Sequence, residues 1–166
     1  MAVELKQWSF DLKEDLIRIC NQADRAWLSE RLPNPYTAES ADWWLNMVQE
    51  QEGKDGIFRA ILSEGKVVGN ISVERKADVY AIDGELGYLL LTEYWNRGIM
   101  TRAVEEICQI AFDKLELIRI TANVYEPNIA SVRVLEKNGF ILEGRMRKAI
   151  KKADRIYDVC IYGKVR

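Results

Sequence analysis

The chain of 166 residues contains no histidine. That excludes a Ser-His-Asp triad, a Cys-His pair and every histidine-ligated metal site. Acid–base chemistry then falls to Asp, Glu, Tyr, Cys, Lys, Ser or water. Cysteine is scarce: Cys20, Cys108 and Cys160 stand far apart, and no pair has metal or redox spacing. The odd number of thiols suits a reducing compartment, so we expect a cytoplasmic protein without a metal. Long apolar runs are missing, and none approaches the roughly 20 residues of a membrane-spanning helix. The start lacks the basic-then-apolar pattern of a leader. No membrane partner is expected. Charge is nearly balanced, 24 Lys and Arg against 26 Asp and Glu, for a net charge of −2. Without a basic excess or a basic-aromatic stripe, no specific nucleic-acid partner is expected.

What is present is an ordinary globular composition, 48% hydrophobic and 30% charged. The length suits one domain, residues 1–166, with a full core, as a monomer or a homodimer. No repeat, low-complexity segment or internal linker interrupts it. Residues 3–8 alternate as a short strand. Leu12, Leu16, Ile19, Cys20 and Ala23 share one helical face, predicting a first helix that runs toward Trp27. Leu32-Pro33-Asn34-Pro35-Tyr36-Thr37 is a break, because its prolines forbid regular pairing. Thr37 is the expected N-cap of a second helix with a stripe of Ala41, Trp44, Leu45 and Val48, leaving Trp43 off the stripe. Residues 57–63 and 66–76 read as a hairpin turning at Glu64-Gly65.

The rest of the chain alternates strand and helix. An apolar strand at 84–91 leads into Tyr94-Trp95-Asn96-Arg97-Gly98-Ile99-Met100-Thr101-Arg102-Ala103. Val104, Ile107, Cys108, Ala111, Phe112 and Leu115 then recur at helical spacing. A strand, a glycine-bearing turn and a helix point the free N–H groups of the first helical turn outward, with the positive end of the helix dipole behind them. Such a turn suits a phosphate, and it is equally what a plain tight turn looks like. A strand at 118–124 follows. Asn128 is the expected N-cap of a short helix, with Asn138-Gly139 as its left-handed exit. Two strands, 140–147 and 155–165, flank a basic hairpin tip of Arg145, Arg147, Lys148, Lys151 and Lys152. This order predicts a mixed α/β sheet with helices on both faces.

Two segments taken together carry a resemblance. Trp95-Asn96-Arg97-Gly98-Ile99-Met100-Thr101 opens one helix. Asn128-Ile129-Ala130-Ser131 opens the next, which closes on Asn138-Gly139-Phe140. With Glu85-Leu86-Gly87-Tyr88 in the strand and Pro33-x-Pro35-Tyr36-Thr37 before a tryptophan-bearing helix, the ordered set resembles the GNAT superfamily of acetyl-CoA-dependent N-acetyltransferases. It is most similar to the RimJ/RimL branch, the ribosomal-protein N-terminal acetyltransferases and their relatives. Two places depart from the superfamily pattern: Trp95 and Met100 stand where a phosphate loop usually carries Arg or Gln and Gly or Ala. Leu135 stands where other branches carry a tyrosine acid.

The resemblance implies a mostly antiparallel seven-stranded sheet, splayed in the middle, with about four helices on both faces: the acyl-CoA N-acyltransferase fold. It implies acetyl-CoA as co-substrate and an amine acceptor, either a protein N-terminus or a small molecule. A non-catalytic acyl-CoA binder on the same fold is the alternative. Asn96, Arg97, Gly98, Ile99, Met100 and Thr101 would meet the pyrophosphate, and Leu89, Leu90 and Leu91 would pair with the pantetheine arm. A backbone N–H on that strand would serve the oxyanion. Asn128 would hold pantetheine by its amide or simply cap its helix. Glu85 is the leading base, directly or through water, or else a solvated carboxylate at a strand start. Ser131 is placed to hydrogen-bond the departing sulfur, or to satisfy the first helical turn. Tyr36, Trp43 and Tyr88 are the aromatic candidates for the acceptor groove. The basic tip is either a solvated hairpin or a contact for the adenosine 3′-phosphate or an acidic acceptor.

Overall fold

The apolar run at residues 57–62 has no solvated side, and the fold explains why. In the computed structural model, which describes residues 2–166, Gly56–Ser63 is a strand buried along its whole length. Its side chains alternate between two cores, as strand geometry requires. Ile57 and Ile61 enter one core, and Phe58, Ala60 and Leu62 enter the other. The strands are β1 Val3–Gln7, β2 Gly56–Ser63, β3 Lys66–Arg75, β4 Asp83–Leu90, β5 Arg119–Tyr125, β6 Ile141–Lys152 and β7 Arg155–Val165. They form one seven-stranded sheet in the order β1-β2-β3-β4-β5-β7-β6. Every pair is antiparallel except β4 with β5. A parallel pair needs a crossover, and the helix between these strands supplies it.

The helices are α1 Lys13–Gln22, α2 Ala38–Gln51, α3 Ile99–Lys114 and α4 Ile129–Lys137. The first two cover one face of the sheet. Leu16, Ile19 and Cys20 of α1 meet Ala41, Leu45 and Val48 of α2 there. The expected cap of α2 is present as a reciprocal pair: Ser40 N–H donates to Thr37 Oγ1 at 3.1 Å, and Thr37 N–H donates to Ser40 Oγ at 3.3 Å. The other face carries α3 and α4. Ala103, Val104, Ile107, Cys108 and Ala111 of α3 are almost fully buried against Ile71, Val73 and Ile120 of the sheet. Each Ile or Leu buried this completely contributes about 1.5–3 kcal/mol. Leu135 of α4 joins this core with no exposure at all, so it packs and carries no chemistry.

Two boundaries differ from those expected. The first helix stops at Gln22, short of Trp27, and Ala23 is already extended. Past that point the chain is held by side-chain bonds, one of them to a carbonyl in the last turn of the helix. Arg25 donates to the carbonyls of Cys20, Leu32 and Pro33. Asn21 pairs through its amide with both the N–H and the carbonyl of Tyr36. These bonds fold residues 23–36 back as a loop over the sheet. The basic segment, expected as a hairpin tip, is instead the end of β6. The register shifts between Met146 and Ile150, and β6 runs on to Lys152. The turn itself is Ala153-Asp154, both at positive φ (+49° and +62°), the signature of a two-residue primed turn.

Candidate active site

The site begins where the sheet opens. β4 pairs with β5 only from Asp83 to Glu85, against Arg119 to Thr121. Beyond that point the two strands part, and β4 keeps a bare edge. Backbone groups alternate between the edges of a strand. Leu91 N–H is donated to Val68 of the neighbouring strand at 3.0 Å, so Leu91 and, by alternation, Leu89 point toward β3. This corrects two of the three residues expected to pair with pantetheine. The groups on the open edge belong to Leu86, Tyr88 and Leu90. The Leu90 carbonyl is already held by the indole N–H of Trp95 at 2.8 Å, so beyond Leu86 the edge offers the Leu90 N–H and both groups of Tyr88.

That same Trp95 bond anchors the turn into α3. Asn96 (φ +59°) and Gly98 (φ +75°) both take the left-handed conformation within three residues. Asn tolerates this conformation and Gly has no penalty there. No side chain caps α3, and Gly98 stands at its N-cap with no atom within 4 Å of where a Cβ would be. The N–H groups of Ile99, Met100 and Thr101 thus open onto free space at the positive end of the helix. Met100 does not narrow this approach, because its side chain is only 7% exposed and packs into the core with Ile99. Arg97 is exposed, its guanidinium 5.3 Å from the centre of the Tyr94 ring. The arrangement fits a pyrophosphate: backbone donors, a left-handed glycine in open space and a nearby cation. Sequence reasoning missed what holds this turn from behind. The Asn138 amide, mostly buried, donates to the carbonyls of Thr101 and Val134, tying the first turn of α3 to the end of α4.

Across the opening lies the start of α4. Asn128 caps it, accepting from Ser131 N–H at 3.3 Å, and its amide donates to Ser131 Oγ at 3.1 Å. The Tyr88 hydroxyl reaches over from β4 and donates to the same Oγ at 3.1 Å. Burial pushes the Tyr88 phenol up to about 12, the bond to Ser131 draws it down and Cys108 adds to the upward push. The phenol is therefore neutral throughout the working pH range.

A second opening lies on the opposite face of the sheet. Asp83, Glu85, Gly87 and Leu89 share it, with Glu74, Ser72 and Asn70 of β3 in register beside the last three. A groove lies here, lined by Leu28, Ser29 and Leu32 of the covering loop and by Asn70, Ser72, Gly87, Tyr88 and Leu89. The β6–β7 hairpin braces the loop. Trp27 stacks edge-on against Tyr157 at 5.6 Å, and Lys152 Nζ donates to the Leu28 carbonyl. Glu85, two residues before Gly87 on the same face of β4, is exposed and accepts from Asn123 of β5 at 3.0 Å. Glu74 lies directly opposite it, unremarked in the sequence. Burial first, and then the Glu85 charge, push the Glu74 carboxyl above its ordinary range, while Arg31 opposes the shift. Three aromatic expectations change. The Tyr88 ring packs against the core on the α3 and α4 side, with its hydroxyl on Ser131, so the residue borders the groove only from within its strand. Tyr36 is 4% exposed and belongs to the core under α1 and α2, so it does not line the groove. Trp43 is 71% exposed on the outer side of α2, off the buried stripe.

The thiols take no part. Cys20, Cys108 and Cys160 are buried, and burial pushes the first two up to about 12. Among the described residues there is no group of His, Cys, Asp and Glu that could hold a metal ion, and no helix long and apolar enough to cross a membrane.

Comparison with known proteins bears on this geometry. A family profile described as an acetyltransferase (GNAT) domain matches residues 3–141. The probable N-acetyltransferase YjcK of Bacillus subtilis is 36% identical over 126 residues, 73% of this chain and 68% of that protein. The crystal structure of ribosomal-protein-S5-alanine acetyltransferase from Vibrio fischeri matches with a TM-score of 0.81 and 26% identity, covering 98% of this chain and 91% of that one. RimL, a ribosomal L7/L12 alpha-N-protein acetyltransferase solved with coenzyme A, shares the fold at a TM-score of 0.84 and 18% identity, over 99% of this chain and 94% of that one. These likenesses do not favour the non-catalytic alternative. The chain belongs to the GNAT acetyltransferases, in their RimJ/RimL-like branch, and is an N-acetyltransferase whose acyl donor is acetyl-CoA.

Proposed function

We propose that residues 1–166 form one catalytic domain that acetylates the N-terminal α-amine of a protein or peptide by direct attack in a ternary complex. The observation that carries this reading is the groove on the acceptor face. No charged side chain lines it, and its floor is Asn70, Ser72 and Gly87, which suit the amides of an extended chain. The acceptor named for the Vibrio fischeri relative is a ribosomal-protein alanine. Direct attack is supported by the place of the thiols: all three cysteines are buried and none lines the groove.

Acetyl-CoA supplies an activated acyl group, and the chain's residues bind and orient. The first turn of α3, with Gly98 and Arg97, takes the pyrophosphate. The bare edge of β4 at Tyr88 and Leu90 pairs with the amide-rich arm, in the manner of an added strand. An N–H on that edge, already fixed in space, stabilises the charge that develops on the carbonyl oxygen. Ser131 faces the sulfur. Holding amine and thioester in reach of each other accounts for much of the rate.

Glu85 acts as the base. It shares a face with Leu89 four residues on, about 13 Å at the ordinary rise of a strand, so it takes the amine's proton through water. Gly87 lies between them with nothing within 4 Å of a Cβ position, which leaves that path open.

A polyamine is the second reading, because Glu74 and Glu85 sit opposite each other and together suit a second ammonium. A panel of acceptors separates the two. Short peptides beginning in Ala, Ser or Met should release thiol from acetyl-CoA with a kcat/KM at least about tenfold above that of spermidine, cadaverine or an aminoglycoside, a difference of about 1.4 kcal/mol. The reverse order would assign the site to a small polycation.

A further inference from the structure

Tyr88 lies in β4 and Ser131 in α4, yet their hydroxyls meet at 3.1 Å across the opening of the sheet. Ser131 Oγ also accepts from the Asn128 amide at 3.1 Å. A serine hydroxyl has two acceptor positions and one proton. Both acceptor positions are filled from inside the protein, and the backbone of Ser131 is fixed by its own bond to Asn128 Oδ1. The one direction left to the Ser131 proton is outward. We infer that Tyr88 is a positioning residue of the transfer reaction: with Asn128 it locks Ser131 as an obligate hydrogen-bond donor aimed at the departing sulfur. This rests on the reading of Ser131 given above.

The step needs no proton from Ser131. As the amine nitrogen bonds to the carbonyl carbon, the C–S bond breaks and its electron pair stays on sulfur. A serine hydroxyl is far less acidic than a thiol, so Ser131 keeps its proton and stabilises the thiolate by a hydrogen bond. The amine's own proton leaves toward Glu85. Two donors feeding Oγ make its O–H a stronger donor, by the polarisation that runs along a hydrogen-bonded chain. They also abolish the rotations in which Ser131 would accept rather than donate. The neutral state of the Tyr88 phenol keeps this arrangement in force across the working pH range. The same strand therefore serves both half-sites, through the backbone of Tyr88 on one side and its hydroxyl on the other.

A double-mutant cycle tests this, with turnover and acetyl-CoA KM measured on wild type, Tyr88→Phe, Ser131→Ala and the pair. Ser131→Ala should lower kcat about 10- to 30-fold, and Tyr88→Phe about five- to tenfold, each leaving the acetyl-CoA KM within about twofold. The double variant should be no slower than Ser131→Ala alone, because Tyr88 has nothing left to orient. A Tyr88→Phe loss that persists in full on the Ser131→Ala background would show a packing role and overturn the inference alone. So would an unchanged kcat for Tyr88→Phe. If Ser131→Ala itself keeps full turnover, the reading of Ser131 falls and the inference falls with it.

Discussion

Gly98→Val is expected to reduce acetyl-CoA affinity by about 100-fold or more, a loss of about 2.7 kcal/mol, as measured by calorimetry. Two effects combine. Gly98 sits at φ +75°, a conformation that a β-branched residue adopts only at a cost of about 1–3 kcal/mol. The chain relieves that strain by moving, and the N–H groups of Ile99, Met100 and Thr101 move with it. The added side chain also enters the open space in front of the helix, where nothing of the protein lies within 4 Å and where the pyrophosphate would sit. The protein itself should remain folded, since that space is outside the core; each kcal/mol of strain lowers the melting temperature by about 2–4 °C. Gly98→Ala keeps part of the strain and little of the bulk, and should fall between the two. An unchanged affinity for Gly98→Val would mean that the turn is only a turn.

The second large effect is expected at the base. Glu85→Gln keeps the shape of the side chain and its bond from Asn123, and removes only the charge. Loss of a general base costs about 100-fold or more in kcat/KM, with the acetyl-CoA KM little changed. The neighbouring Glu74 makes the experiment discriminating. Its carboxyl is raised mainly by burial and further by the charge of Glu85. Removing that charge lets Glu74 lose its proton at lower pH. Were Glu74 the base, Glu85→Gln would keep most of its activity and its acid limb would move to lower pH. A large loss at every pH, with no such movement, assigns the role to Glu85.

Much of this site can be read along the chain because its parts are local. A left-handed glycine before a helix, an Asn that caps three residues ahead and an Asn-Gly exit are each fixed by neighbours a few residues away. Thr37 with Ser40 and Asn128 with Ser131 form where their spacing places them. What escapes are the facts of register. Whether Leu89 or Leu90 shows its N–H to the open edge depends on how β4 meets β3, and a shift of one residue reverses it. Glu74 becomes the partner of Glu85 through the same pairing. Tyr88 and Ser131 lie 43 positions apart and meet because the sheet opens between them. Tyr36 looks like a groove aromatic beside its prolines, yet Asn21 draws its backbone under α1. After α1, Arg25 ties the Cys20 carbonyl of the helix to those of Leu32 and Pro33 in the loop, although a helical face continues in the sequence. Local chemistry marks a turn that suits a phosphate and a carboxylate that suits a base. Strand pairing decides which groups face them.

The central claim is that the turn at Gly98 and the open edge of β4 hold acetyl-CoA beside a primary amine. The most direct measurement is a titration of acetyl-CoA by calorimetry, followed in the same sample by thiol release on adding peptides with free N-termini. Binding at one site per chain, with thiol released only when both substrates are present, is the predicted result. Binding with no release from any amine would contradict the catalytic account, and no binding at all would contradict the site.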